Sequence, residues 1–289
     1  MAAAYALIAA ALFAAALVTT QFGLRHMDGL AGAKISIPSA ALLLWALFPL
    51  LHVGGFEAGN AQGAGIFLAL GLFFPVAVTL LAYEANRRMG PTIAGAIGST
   101  APLFAVLGAV LFLGETLGLP QMAATLAIVA GSTVLVWRSN AAGDVVKGAA
   151  FVSGVAWLAA ALRALAQVVV KAGLMLWPNP YAAVLLGYTV SAAAVWIIAV
   201  FSRRAESRVY TRRGIAWFAL TGLFNSSAVL ALYAALEVGT VNIVSPIAAT
   251  YPLFTLLLNA IILREERLSA QLMAGVALMV AGVVVILLT

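Results

Sequence analysis

The sequence predicts an all-α polytopic membrane protein of ten transmembrane helices, arranged as two inverted five-helix repeats. Three observations predict it. Of the 289 residues 65% are hydrophobic and only 8% charged, whereas a soluble domain carries roughly a quarter charged residues. The apolar residues fall in continuous runs near the ~20 residues a bilayer-spanning helix needs, not in the alternating ~10-residue segments of an outer-membrane barrel. The second half of the chain also repeats the first. These features exclude a soluble enzyme, a nucleic-acid binder and a disordered tail. The net charge of +6, which would suggest nucleic acid in a soluble chain, reports orientation here.

Cuts at charges, prolines and glycine clusters place the first five spans near 4–24, 37–51, 65–84, 91–113 and 119–137. Five more fall near 148–170, 181–201, 214–236, 241–263 and 268–288. Residues 1–24 lack the basic start of a secretory signal, with no Lys or Arg before Arg25, and read as a retained span. The repeats divide the chain into 1–140 and 141–289. The loops after the odd-numbered spans carry Arg25, Lys34, Arg87, Arg88, Arg138, Lys147, Arg203, Arg204, Arg208, Arg212, Arg213, Arg264 and Arg267, against Lys171 on the other side. By the positive-inside rule those loops are cytoplasmic, so both termini are expected on the periplasmic side of a bacterial inner membrane.

Displaced by 150 residues, Phe74-Pro75 falls on Phe224-Asn225 and Tyr83 on Tyr233. In the same register Thr100-Ala101-Pro102-Leu103-Phe104 falls on Thr250-Tyr251-Pro252-Leu253-Phe254, and Glu115 on Glu265. Gln21 and Arg25 in span 1 correspond to Gln167 and Lys171 in span 6 at a slightly smaller displacement. Five spans per unit is odd, so the second unit enters the membrane from the opposite side. Inverted repeats place a binding site near the midplane where the units meet and give two mirror-related states.

The paired Thr-x-Pro-Leu-Phe runs, the Gln-x-x-x-basic end of span 1 and the Gly114-Glu115 stop echoed at Arg264-Glu265 resemble the drug/metabolite transporter superfamily, and within it the ten-helix EamA family. The likeness covers nearly the whole chain. In this chain Glu57, not basic residues, follows span 2, while Arg87 and Arg88 follow span 3. That departure resembles the branch of aromatic amino-acid exporters. The resemblance implies a small-molecule substrate of amino-acid type, a lipid environment, and export by alternating access.

Several residues are candidates for that pathway. Pro75 and Asn225 stand near the middle of spans 3 and 8. Thr79 and Tyr83 share a face with the first, and Tyr233 with the second. A proline there frees backbone carbonyls that must find partners or line a cavity. Tyr83 and Tyr233 fit either a cavity wall or an interfacial aromatic belt. Spans 4 and 9 hold prolines among hydroxyls: Ser99, Thr100 and Pro102, then Ser245, Thr250, Tyr251 and Pro252. Broken helices of this kind can receive an ammonium on loose carbonyls and a carboxylate at a half-helix N-terminus, although back-bonding to the helix would explain the threonines equally.

On span 6, Arg163, Gln167 and Lys171 form one polar stripe at a spacing of four. A mid-membrane cation is functional by default, so Arg163 is a candidate carboxylate ligand, with Trp157 as an aromatic wall. Pairing with Glu84 or Glu237 is the structural alternative. Glu115 and Glu265 are expected at span boundaries or gates, and Gln21 and Arg25 at the cytoplasmic gate. No cofactor or metal is expected, since the chain has no cysteine and its two histidines, His26 and His52, sit at span ends. Span 1 contains no acid, which disfavours the proton-coupled drug efflux that superfamily relatives run from a glutamate in their first helix. The absence of a mid-membrane acid or histidine relay favours a facilitator. An intramembrane enzyme would need a nucleophile with a base at membrane depth, and a lipid-flipping protein would not need the matched polar positions. Ten helices can enclose a pathway alone, so a functional monomer is expected.

Overall fold

The computed structural model describes residues 1–51, 59–138, 149–201, 210–263 and 270–288. Glu265, His52, Glu57, Lys147, Arg203, Arg204, Arg208, Arg264 and Arg267 lie outside them. The described residues form twelve helices: α1 Ala2–Leu24, α2 Gly29–Leu51, α3 Ala61–Gly71, α4 Val76–Gly98, α5 Ala101–Leu113, α6 Leu119–Arg138, α7 Ala149–Leu176, α8 Pro180–Phe201, α9 Arg212–Val238, α10 Val241–Ala248, α11 Tyr251–Leu263 and α12 Ala270–Leu288. Eight segments are apolar and long enough to cross a membrane. With the shorter apolar helices Ala101–Leu113 and Leu119–Leu135 they account for ten crossings.

Helix starts follow local capping chemistry. Asp28 Oδ1 accepts from Ala31 N at 2.8 Å, so α2 begins eight residues before the span expected at 37, and Lys34 lies inside a helix instead of a loop. Asn60 receives the amides of Gln62 and Gly63 to start α3. Asn179 caps α8 at Ala182 N, and Thr211 caps α9 at Gly214 N. Each side-chain oxygen takes a donor that has no partner in the first turn. At the far end of α5, Gly114 adopts φ 68°, the left-handed conformation that ends a helix most cheaply at glycine.

The expected loop between spans 3 and 4 is not found where the sequence put it, because the backbone stays helical from Val76 to Gly98. Pro75 and Gly98 nevertheless line one cavity. A straight helix of that length would hold its ends roughly 33 Å apart, so the run is not straight. The interruption instead falls earlier, at Leu72 to Pro75. Proline has no N–H, so Pro75 leaves the carbonyl of Gly71 without its usual donor four residues on. Ser191 of α8, fully buried, donates its hydroxyl to that carbonyl at 2.6 Å. Asn225, the repeat counterpart of Pro75, keeps its N–H, and α9 is continuous through it.

Small residues form much of the helix interfaces, and many large apolar ones are exposed on the outside. Ala6, Ala9, Ala10 and Ala14 of α1 are wholly buried, while Leu111, Phe112, Phe201 and Leu288 are exposed. Close approach of backbones supplies the packing that hydrophobic burial cannot provide between helices in lipid. α1 packs most extensively on α9 and α6 on α12, so both of the largest helix interfaces join one repeat to the other.

Ser191→Ala should leave the Gly71 carbonyl buried and unpaired. The expected cost is about 1–3 kcal/mol, read as a lower apparent Tm of the purified protein in detergent. An unchanged Tm would show that the broken span finds another donor.

Candidate functional site

An internal cavity of about 100 Å³ lies where the repeats meet, room for several water molecules. Its walls come from the middle of α1 (Phe13), the break before α4 (Phe74 and Pro75), both ends of α4 (Val78, Thr79 and Gly98) and the start of α5 (Ala101 and Pro102). The second repeat contributes Arg163, Ala166 and Gln167 of α7, Asn225, Leu232 and Tyr233 of α9, Ser245 and Ala248 of α10, then Ala249 and Tyr251.

The two broken spans are built alike. Thr100 N donates to Ile97 O at 3.1 Å and Leu103 N to Thr100 O at 3.0 Å; 150 residues later Thr250 N donates to Ile247 O at 3.0 Å and Leu253 N to Thr250 O at 2.9 Å. The hydroxyls follow suit, with Thr100 Oγ1 on Ile97 O at 2.6 Å and Thr250 Oγ1 on Ile247 O at 2.7 Å. Pro102 and Pro252 cannot donate to the carbonyls of Gly98 and Ala248, and both of those residues line the cavity. α6 braces both breaks: Thr133 Oγ1 lies 3.3 Å from Ser99 Oγ, and Ser132 Oγ donates to Ala249 O at 3.3 Å.

The electrostatics of the cavity are one-sided. Arg163 faces it without a hydrogen bond or ion pair among the described residues. The expected alternative, pairing with Glu84 or Glu237, is therefore not made. One turn along α7, Gln167 Oε1 is buried without a hydrogen-bond partner among the described residues, as is Ser245 Oγ across the cavity. Buried polar atoms without partners carry a desolvation cost that a ligand or water can relieve. Among the described residues no Asp, Glu or His lines the cavity, and no group of three or more His, Asp or Glu side chains could hold a metal ion.

Of the residues singled out from the sequence, the cavity therefore brings together Pro75, Thr79, Pro102, Arg163, Gln167, Asn225, Tyr233, Ser245 and Tyr251. It leaves out five candidate ligands. Tyr83 packs instead on Gly29 and Phe218, beside Thr20 and Ser36. Ser99 is fully buried against Thr133, and Thr100 and Thr250 spend their hydroxyls on their own helices. Trp157 is half-exposed, edge-on to Phe104 at 5.9 Å. Phe13, Phe74 and Leu232 line the cavity although the sequence does not single them out. Phe74 adjoins the conspicuous Pro75, but Phe13 sits in a helix that is apolar all round and gives no signal.

The expected gating residues separate by role. Glu115 caps α10, its Oε1 accepting from Val241 N at 2.9 Å and its Oε2 from Asn242 N at 3.0 Å. Lys171 Nζ donates to Leu236 O at 2.7 Å and Gly239 O at 2.9 Å at the end of α9, within electrostatic reach of Glu115 and Glu237. The α9–α10 corner is thus held by an acid on an N-terminus and a base on a C-terminus, the favourable ends for each charge. At the opposite end of the bundle, Gln21 is exposed, and Arg25 stacks over Phe22 at 5.1 Å. Pro252 starts α11, and Glu265 lies outside the described residues.

A bundle of ten crossings built as two repeats around a cavity between them, with broken helices from both, is the architecture of a multi-pass membrane transporter. Comparison with protein families identifies it: the model of the EamA-like transporter family matches residues 1–137 and again 150–288. The chain belongs to that family, within the drug/metabolite transporter superfamily, and so acts on a small-molecule substrate from within a lipid bilayer. A protein of solved crystal structure is 18% identical, the match covers 99% of this chain and 98% of that one, and the two superpose with a TM-score of 0.78. It shares the fold. No curated protein matches the chain.

Glu115→Ala should remove the acceptor for two amides at the start of α10. A loss of about 1–3 kcal/mol is expected, seen as a lower Tm in detergent, with Glu115→Gln intermediate because one acceptor oxygen remains. Equal stability of all three proteins would show that the cap contributes nothing.

Proposed function

We propose that the chain exports amino acids, aromatic and other neutral ones, and related small metabolites across a bacterial inner membrane. It works by alternating access between its two halves, 1–140 and 141–289, as a facilitator and a monomer, with both termini periplasmic. The observation that carries the reading is Arg163, unpaired among the described residues and facing the cavity beside unpaired acceptors. Its guanidinium can take a carboxylate through two parallel hydrogen bonds. Gln167 Oε1 sits one helical turn away, a rise of about 6 Å, and Ser245 and the freed carbonyls of Gly98 and Ala248 supply further acceptors. A donor pole and an acceptor pole at that spacing complement the carboxylate and ammonium of an amino-acid zwitterion. Phe13, Phe74 and Leu232 offer an apolar wall to its side chain.

Among the described residues no acid or histidine lines the cavity, so its lining has no group suited to picking up a driving proton. This favours movement down the substrate gradient over proton-coupled efflux. The basic loops, Arg25 at the α1–α2 corner among them, support the orientation by the positive-inside rule.

The test is counterflow in proteoliposomes loaded with single amino acids, with and without a proton gradient. Neutral and aromatic amino acids should exchange at the same rate under both conditions. Arg163→Ala should reduce exchange by on the order of a hundredfold, the equivalent of losing about 3 kcal/mol from a desolvated charge pair. Arg163→Lys should recover part of it. If exchange proceeds unchanged in correctly folded Arg163→Ala protein, the carboxylate assignment is wrong. Substrate accumulation driven by the proton gradient would replace the facilitator with a coupled pump.

A further inference from the structure

Two clusters of aromatic side chains are seated against glycines, and the arrangement is reciprocal between the repeats. At the N-terminal end of α2, Phe218 of α9 has no exposed surface and lies between Gly23 of α1 and Gly32 of α2. A Cβ at Gly32 would collide with its ring, and one at Gly23 would lie 2.9 Å from Cε2. Met27, Ala31 and Tyr83 complete this cluster. In the second cluster, Phe67 of α3 stacks on Trp177, just beyond α7, at 5.8 Å. A Cβ at Gly173 would lie 2.5 Å from Phe67 Cε1, and one at Gly63 2.7 Å from Trp177 Cβ. The first socket joins span 1 of the first repeat to the third span of the second. The other joins the first span of the second repeat to the third span of the first.

Between the cavity and the Phe218 socket runs a seam of hydroxyls that apolar packing does not require. Thr221 Oγ1 donates to Thr19 Oγ1 at 2.9 Å, and the Tyr83 hydroxyl lies beside Thr20 and Ser36. Tyr188 is 2% exposed and its hydroxyl has no hydrogen-bond partner among the described residues. It lies within electrostatic reach of Tyr83 on one side and of the cavity-lining Tyr233 on the other. A hydroxyl left unpaired among apolar helices is costly in a permanently closed structure. The cost is relieved in any state where water or solute reaches it.

We propose that the two sockets are the gates of the transport pathway. Withdrawal of Phe218 from Gly23 and Gly32 opens the cavity past Tyr233, Tyr188 and Tyr83 to the membrane face at the α1–α2 corner. Parting of Phe67 and Trp177 from Gly173 and Gly63 opens it to the opposite face. Glycine at these positions lets the helices close fully around a ring, so a single added methyl group holds the corresponding gate ajar. The proposal rests on the alternating-access reading and is independent of the amino-acid assignment.

The chain contains no cysteine, so Ala166→Cys introduces a sole reporter thiol into the cavity, away from both sockets. Its reaction with a charged, membrane-impermeant methanethiosulfonate is measured from each face of proteoliposomes of known protein orientation. Gly32→Ala, and separately Phe218→Ala, should raise the rate from the α1–α2 face about tenfold, the shift expected when a minor open state becomes substantial, and leave the other face unaccelerated. Gly63→Ala should do the reverse. Rates that stay unchanged, or rise equally from both faces in monodisperse protein, would overturn the gate assignment. Labelling needs no substrate, so absence of amino-acid exchange would count against the substrate reading while leaving these rates to decide the gates.

Discussion

Every backbone carbonyl in this protein must find a donor or a polar space, because the surrounding lipid offers neither. Three prolines turn that constraint into architecture. Pro75 strands the carbonyl of Gly71, and the fold answers with the hydroxyl of Ser191 from α8. Pro102 and Pro252 strand the carbonyls of Gly98 and Ala248, and those residues border the cavity. Pro75 and Pro102 themselves line the cavity, so the polar centre lies where the proline-broken spans meet. The bracing of both breaks by adjacent hydroxyls of α6 keeps the carbonyl-bearing segments in place without filling the space between them.

Duplication supplied the scaffold, and divergence between the halves supplied the charge. The hydrogen bonds around Thr100 and Thr250 agree to about a tenth of an ångström. The first spans of the two repeats, by contrast, have parted company. Gln21 is exposed near the end of α1, whereas its counterpart Gln167 is buried at the cavity. Arg25 lies over an aromatic ring, whereas its counterpart Lys171 holds the carbonyls at the end of α9. In the same register Arg163 corresponds to Leu17, so among the described residues only the second half lines the cavity with a cation. Shape is shared between repeats, and the charge at the cavity is not.

The number of crossings, the duplication and the importance of the broken spans are legible in the sequence because they depend on local signals: apolar run length, proline and a fixed displacement. Arg163 and Gln167 are legible because polar groups in an apolar run have few reasons to be there. What cannot be read depends on helix arrangement. Phe13 lies in a helix with no preferred apolar face, so its direction is set only by α9 and its other neighbours. Trp157 shares a helix with Arg163, but a difference of six residues turns it toward the outside. Thr100 and Thr250 resemble ligands by composition, and the choice between a ligand and a helix back-bond is one of geometry. The early start of α2 has a simpler cause: the N-cap at Asp28 opens a glycine-containing stretch with a lysine in it, so its first turns pass for a loop.

The difference between the two third spans has a thermodynamic consequence. One is interrupted at Pro75 and tied to α8, and the other runs unbroken through Asn225. In a perfectly duplicated carrier the two end states would be mirror images of equal free energy. Under the proposed alternating access, exchanging the roles of the halves would bend a stiff element in one direction and a jointed one in the other, and the two orientations would then be populated unequally. For any carrier of this kind the apparent affinity at each face is the intrinsic one divided by the fraction of molecules presenting that face. The same site therefore saturates at different solute concentrations inside and outside, while the equilibrium distribution across the membrane is untouched. Such a carrier is kinetically polarised, filling readily from one compartment and releasing readily into the other, with directionality written in half-saturation and not in driving force.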